Sequence, residues 1–186
     1  MIIGIAGHAQ HGKDTVGDYL VDSFGFRKFA FADNIKRAVL VVDPFVGPSG
    51  VRLSKLVEHG GWEHAKRLPE VRRLLQVFGT EAGREIFGEN VWVDLLFREI
   101  DRSECEDVVI TDVRLPNEVR EVHHRNGVVW RVKRLGALPL GVNADHTTEK
   151  FIDVLNADHI FVTRTVHELH ELVEQHMRRQ HMRSRQ

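Results

Sequence analysis

Gly7, Gly12 and Lys13 stand at the spacing G-x-x-x-x-G-K, the pattern of a phosphate-binding loop. The residue types suit that chemistry. Glycines take backbone angles with positive φ and let the chain come close to a phosphate. The loop amides then form an anion nest, and the helix that follows adds its positive end. Lys13 contributes a charge within reach of β- and γ-phosphates. Ser or Thr normally follows that lysine and binds magnesium through its hydroxyl. Here Asp14 holds the position and Thr15 comes next. Asp is a hard oxygen ligand, so magnesium binding survives the change. It also places a negative charge beside the phosphates, which needs a metal or nearby cations to offset it.

Further polar clusters follow the other expected strands. In open parallel sheets ligands bind beyond the C-terminal strand ends. Asp33 and Lys36 come after the second strand, and Asp112, Arg114, Asn117 and Glu118 after the third. Asp112 reads as a magnesium-site carboxylate or as a helix cap. Arg114 reads as a phosphate clamp or as a surface partner of Glu118. Arg72 and Arg73 lie on one helix, facing a phosphate or solvent. Trp92 fits a base-stacking residue, though its periodicity fits a core residue better. Taken together the set points to phosphoryl transfer, which is mostly positioning and charge neutralisation. An acceptor that is itself a phosphate has a second pKa near ~6 and needs no strong base.

These residues need a scaffold. Ile2, Ile3 and Ile5 make the first strand, and Val16, Tyr19, Leu20 and Phe24 the inner face of a helix from Lys13 to Gly25. RKFAF (27–31) reads as the second strand, with Asp33 capping a helix through Ile35, Val39 and Val42. Residues 44–50 read as a loop. The stretch from about 53 to 100 reads as helical, with Pro69 in a first turn, breaks at Gly79-Thr80 and Gly88, Thr80 as a cap, and a helix carrying Trp92, Leu95, Leu96 and Ile100. Val108 to Ile110 is a buried strand with Asp112 after it. Residues 118–125 form a helix, Val128 to Val132 and His159 to Val162 are strands, and 136–150 is a polar loop. Thr165 to Glu168 has capping-box form ahead of a last helix, with a frayed basic tail after about Met177. Strands alternating with helices argue an α/β fold, a three-layer α/β/α arrangement with a mainly parallel sheet. At 186 residues we expect one domain (1–186) with a helical lid or substrate insertion at about 51–102.

Composition narrows the class. Net charge is −1, which argues against a nucleic-acid polymer as partner. Cys105 is the only cysteine, so no internal disulfide forms and a reducing, cytoplasmic setting is expected. The apolar N-terminal run reads as a strand rather than a signal peptide, and no stretch approaches the ~20 apolar residues of a membrane span. The 12 histidines are scattered and read mostly as surface residues.

The chain resembles the deoxynucleoside monophosphate kinases of tailed bacteriophages. The resemblance rests on GHAQHGKDT (7–15), FADNIK (31–36), VRRLLQVFGTEAGR (71–84), VW (91–92), VVITDVRLPNE (108–118) and DHTTE (145–149). It implies a nucleoside-monophosphate-kinase-like P-loop fold and transfer of the ATP γ-phosphate to a deoxynucleoside 5′-monophosphate, in the host cytoplasm for a phage protein. Gly7, His11, Gly12, Lys13, Asp14 and Thr15 would hold the ATP phosphates, with Asp14 and Thr15 on Mg2+ and Arg72 on the ATP side. Ile35, Lys36, Gly79, Thr80 and Trp92 would line the monophosphate site. Asp112, Arg114 and Glu118 would contact the acceptor nucleotide. The expected catalytic set is therefore Lys13, Arg72, Asp112 and Arg114, the partners ATP and a deoxynucleotide, and the assembly a homodimer. Ala9 and Gln10 stand where the family can carry a basic residue, and Asn34 where Pro is expected, which leaves base selectivity open. Two rivals remain: a kinase of another phosphorylated acceptor, of dephospho-coenzyme A or phosphomevalonate type, and a non-catalytic ATP-binding module.

Overall fold

The computed structural model describes residues 1–137 and 151–183, so the DHTTE stretch lies outside the described residues. In chain order the elements are β1 (Ile2–Ala6), α1 (Lys13–Phe24), β2 (Arg27–Phe29), α2 (Phe31–Val42), β3 (Phe45–Val46), β4 (Val51–Arg52), α3 (Leu53–Ala65) and α4 (Pro69–Val77). A π-helix (Phe78–Arg84) follows, then α5 (Glu85–Phe87), α6 (Val91–Ser103), β5 (Val108–Val113), α7 (Pro116–His124), β6 (Val128–Arg134), a 3-10 turn (Ile152–Val154), β7 (His159–Thr163) and α8 (Val166–Arg183). They form two compact units, Met1–Ala30 with Ile100–Gln186, and Phe31–Glu99.

The first unit is a five-stranded sheet in the order β2-β5-β1-β6-β7, and every pairing is parallel. This is the α/β architecture that the alternating pattern implied. Ile3 and Ile5 are fully buried on one face against Val16 and Leu20 of α1 and Leu169, Val173 and Met177 of α8. Each such side chain contributes about 1.5–3 kcal/mol by leaving water. On the opposite face Val122 of α7, with Val113 and Val129, closes over Gly4. The central strand β1 thus ends, packed from both sides, at the loop that carries Gly7.

The second unit is helical, with a core of Val39, Val46, Leu53, Ala65 and Val71. Residues 44–50, expected as a loop, instead carry β3 and the turn that leads into its antiparallel pairing with β4. Asp43 ties that hairpin to α3, because its carboxylate accepts from Ser54 N–H at 2.7 Å and Ser54 Oγ at 2.9 Å. Those bonds, above all the one from the backbone, hold its pKa below the usual carboxylate value.

Several boundaries differ from the sequence reading. The second strand stops at Phe29 and α2 begins at Phe31. Asp33 therefore sits inside the first turn rather than at the cap, where its charge still complements the helix end. Gly79-Thr80 does not break the chain, and Thr80 caps nothing: the helix passes through both as the π-helix. Leu95 is 39% exposed, on the outer side of α6. Asp112 lies within β5, which continues to Val113. The basic tail is helical as far as Arg183. Among the described residues no helix is long and apolar enough to cross a membrane.

Candidate functional site

The loop between β1 and α1 is built as its glycines suggested. Gly7 has φ 154°, and a Cβ there would meet the Val132 carbonyl oxygen at 2.6 Å. Gly12 has φ 99° and caps α1 with no side-chain bond, so the first-turn amides of α1 adjoin the loop. Lys13 is 7% exposed and curls back, its Nζ donating to the His8 carbonyl at 2.9 Å. The His8 and His11 rings meet edge to face at 5.3 Å. His8 Nε2 lies 3.2 Å from Asp153 Oδ2. Arg131 in turn donates to the Ile152 carbonyl at 3.2 Å and the Asp153 carbonyl at 2.5 Å. The loop is thereby braced from a segment more than a hundred residues away.

A cavity of about 170 Å³ opens beside the loop. Residues 10–15 form one wall, and Arg134, Thr163, Thr165, Val166 and Leu169 the other. The sequence reading missed this second wall. Its signal was present only in part: Thr165 and Glu168 do form the expected cap, Thr165 Oγ1 accepting from Glu168 N–H at 3.2 Å and Glu168 accepting from Arg164 N–H at 2.8 Å. That Thr163 and Arg134 face the same cavity depends on β6 pairing with β7, Arg134 opposite Thr163.

Asp14 and Thr15 sit side by side at the start of α1, both on the cavity lining. A carboxylate and a hydroxyl are hard oxygen donors of the kind Mg2+ takes. Among the described residues no group of three or more His, Cys, Asp or Glu can hold a metal unaided. An ion here would need phosphate oxygens of a bound nucleotide to complete its shell. Asp14 faces Lys28, with Nζ to Oδ1 at 3.6 Å, and Lys28 also pairs with Asp18 at 2.8 Å. Burial pulls the Lys28 pKa down, but the bond to Asp18 and the charges of Asp18 and Asp14 outweigh it and leave it raised.

The same unit brings Asp112 and Arg114 to the loop, since Ala6 pairs with Val113 across a bulge. Both are half-buried. Glu118 is different. It is 2% exposed, and its Oε2 accepts from Arg114 N–H at 2.7 Å and Leu115 N–H at 3.0 Å. It shapes the turn that carries Arg114 by holding its backbone.

In the helical unit Ile35, Gly79 and Trp92 come together. A Cβ on Gly79 would lie 3.1 Å from Ile35 Cδ1, and Trp92 Nε1 donates to the Gly79 carbonyl at 2.8 Å. Trp92 is 5% exposed. Its ring lies where a Cβ on Gly83 would approach Cζ2 to 2.5 Å, so the indole fills the space that a side chain at Gly83 would take. The π-helix thus carries its glycine where the ring packs against it. Lys36 pairs with Asp33 at 2.7 Å. Thr80 is exposed. Arg72 is exposed and its Nε donates to the Lys66 carbonyl at 2.6 Å, closing the turn between α3 and α4.

A parallel sheet whose central strand runs through a G-x-x-x-x-G-K loop into a helix defines a P-loop α/β protein. Comparison with known proteins narrows this. The deoxynucleotide monophosphate kinase family matches residues 62–174, and the chain belongs to that family. It is 33% identical over 97 residues to a deoxynucleoside-5′-monophosphate kinase of Escherichia phage T5, covering 50% of this chain and 39% of that one. It is 27% identical over 151 residues to a putative deoxynucleotide monophosphate kinase of Acanthamoeba polyphaga mimivirus, covering 73% and 75%. The chain thus spans well under half the length of the phage T5 relative it matches. Among solved structures, shikimate kinase from Aquifex aeolicus aligns over 96% of both chains with a TM-score of 0.47 and 13% identity.

Proposed function

We propose that the chain is an ATP-dependent deoxynucleoside monophosphate kinase. The observation that carries this reading is the braced loop, with buried Lys13 behind it and Asp112 and Arg114 beside it. Lys13 and the loop amides hold the ATP phosphates, and the adjoining cavity, walled by Arg134, Thr163, Thr165 and Val166, takes the nucleoside of ATP. Asp14 and Thr15 would hold Mg2+, which when bound neutralises charge on the β- and γ-phosphates. Arg114 neutralises the acceptor phosphate and Asp112 orients the acceptor nucleotide. A terminal oxygen of the monophosphate attacks the γ-phosphorus, the bond to ADP breaks, and the products are ADP and a deoxynucleoside diphosphate. The ionised acceptor needs no base, so the protein's contribution is alignment and charge.

For the helical unit we assign Ile35, Lys36, Gly79 and Thr80 to the monophosphate side and Arg72 to the ATP side. Trp92 and Glu118 act as positioning residues, one for the π-helix and one for the Arg114 turn. A cytoplasmic location and a homodimer complete the reading.

The test is ADP release from Mg2+·ATP against dGMP, dTMP, dCMP, dAMP, GMP, dephospho-coenzyme A and phosphomevalonate. Stimulation by one or more deoxynucleotides is expected. Stimulation by dephospho-coenzyme A or phosphomevalonate alone would transfer the chain to another acceptor class. ATP binding with no stimulated release would leave a binding module.

A further inference from the structure

Asp14 replaces the Ser or Thr that usually follows the loop lysine, and it brings a negative charge that must be managed before any metal arrives. Lys28 manages it. This side chain leaves the edge strand β2, where it pairs in register with Val109 of β5, and reaches α1. Its ammonium stands between two carboxylates one helical turn apart, 2.8 Å from Asp18 and 3.6 Å from Asp14. Gly17 makes the approach possible. A Cβ there would lie 2.4 Å from Thr111 Cγ2 and 3.6 Å from Lys28 Cε, so its absence lets α1 lie close on β5 and leaves room for the lysine stem.

We propose that Lys28 is a positioning residue that sets the metal affinity of the phosphate loop by competing for Asp14. The inference rests on the assignment of Asp14 to Mg2+ made above. One ammonium cannot hold both carboxylates equally, and the shorter contact is to Asp18. Asp18 therefore anchors Lys28 and leaves Asp14 the looser partner, free to turn to a divalent ion without stranding the lysine. The Asp14 side chain is 79% exposed and that of Lys28 34%. Solvent screens a pair this open, so the competition is worth a few-fold in affinity and no more.

The competition makes two variants act with opposite sign. Lys28→Met removes the competitor and should tighten Mn2+ binding about threefold. Asp18→Asn removes the anchor, lets Lys28 settle on Asp14, and should weaken Mn2+ binding about twofold. Lys28→Arg keeps the charge and should stay near the parent value. Binding is read from the loss of the free Mn2+ electron paramagnetic resonance signal, with one ADP per chain and no acceptor present, so turnover plays no part. Repeating both variants in an Asp14→Asn background should abolish both shifts. An unchanged or weakened affinity in Lys28→Met, or shifts that persist without Asp14, would overturn the inference while leaving the kinase reading intact. Should Lys28→Met fail to fold, Asp18→Asn reads the same competition from the other side. Absence of ADP-dependent Mn2+ binding in the parent protein would remove the phosphate-loop reading, and this inference with it.

Discussion

Lys13 of the sheet unit and Trp92 of the helical unit are about equally buried, at 7% and 5%, for opposite reasons. Lys13 is buried by a loop that folds around it, and its ammonium donates to the His8 carbonyl of that same loop. A bound phosphate can replace that contact with a stronger, charge-assisted one. Trp92 is buried by packing, with its one donor committed to Gly79 and its ring in the space beside Gly83. Both were singled out in the sequence, yet on the proposed reading one acts on phosphate and the other holds a backbone shape. A shared motif therefore identifies residues that matter without saying whether they touch substrate.

The largest expected effect is Lys13→Ala. Loss of a charge aimed at the transferring phosphate should cut turnover by about 10²–10³-fold, with unchanged circular dichroism and melting. Retained turnover would end the comparison by showing that the buried lysine is structural too. Next is Trp92→Phe, which keeps an aromatic ring but shrinks it and strands the Gly79 carbonyl. It should lower stability by about 1–3 kcal/mol in denaturant unfolding and leave the Kd for the monophosphate within about twofold once folded. A raised Kd at unchanged stability would make the indole a base-stacking surface instead. Arg114→Ala should raise KM for the monophosphate about tenfold, the loss of about 1.4 kcal/mol, with KM for ATP nearly constant. A defect confined to ATP would reverse that assignment.

The smallest effect concerns the sheet unit alone. Burial, and then the charge of Arg179, hold the His159 pKa below its ordinary 6.5. The unfolded chain then binds this proton more readily, so the contribution to stability is full above pH 6.5 and is lost as pH falls toward the lowered folded value. Urea midpoints between pH 7 and pH 5 should fall less steeply in His159→Phe than in the parent. Equal slopes would remove His159 from the account.

Legibility in the sequence followed the range of the cause. Gly7, Gly12 and Lys13 were readable because a phosphate loop is local: seven consecutive residues fix its shape, and its helix starts at Lys13 as expected. The buried strands were readable from their apolar runs. Asp112 was misplaced by a few residues because the bulge opposite Gly4 and Ala6, visible only in the strand pairing, carries β5 on to Val113. The π-helix was read as a break because Gly79 and Thr80 are poor helix formers, whereas the chain stays helical through both, with Trp92 donating to the Gly79 carbonyl. Arg134 and Thr163 were missed since only the β6–β7 register places them together. The backbone role of Glu118 was not legible, because an acid that accepts from its own turn looks in sequence like any other acid.

The most direct test of the central claim follows the phosphoryl group itself. Protein incubated with Mg2+ and γ-labelled ATP and each deoxynucleoside monophosphate should yield label in the corresponding diphosphate, and Lys13→Ala should yield almost none. Label found only in inorganic phosphate, or equally in the diphosphate for Lys13→Ala, would contradict it.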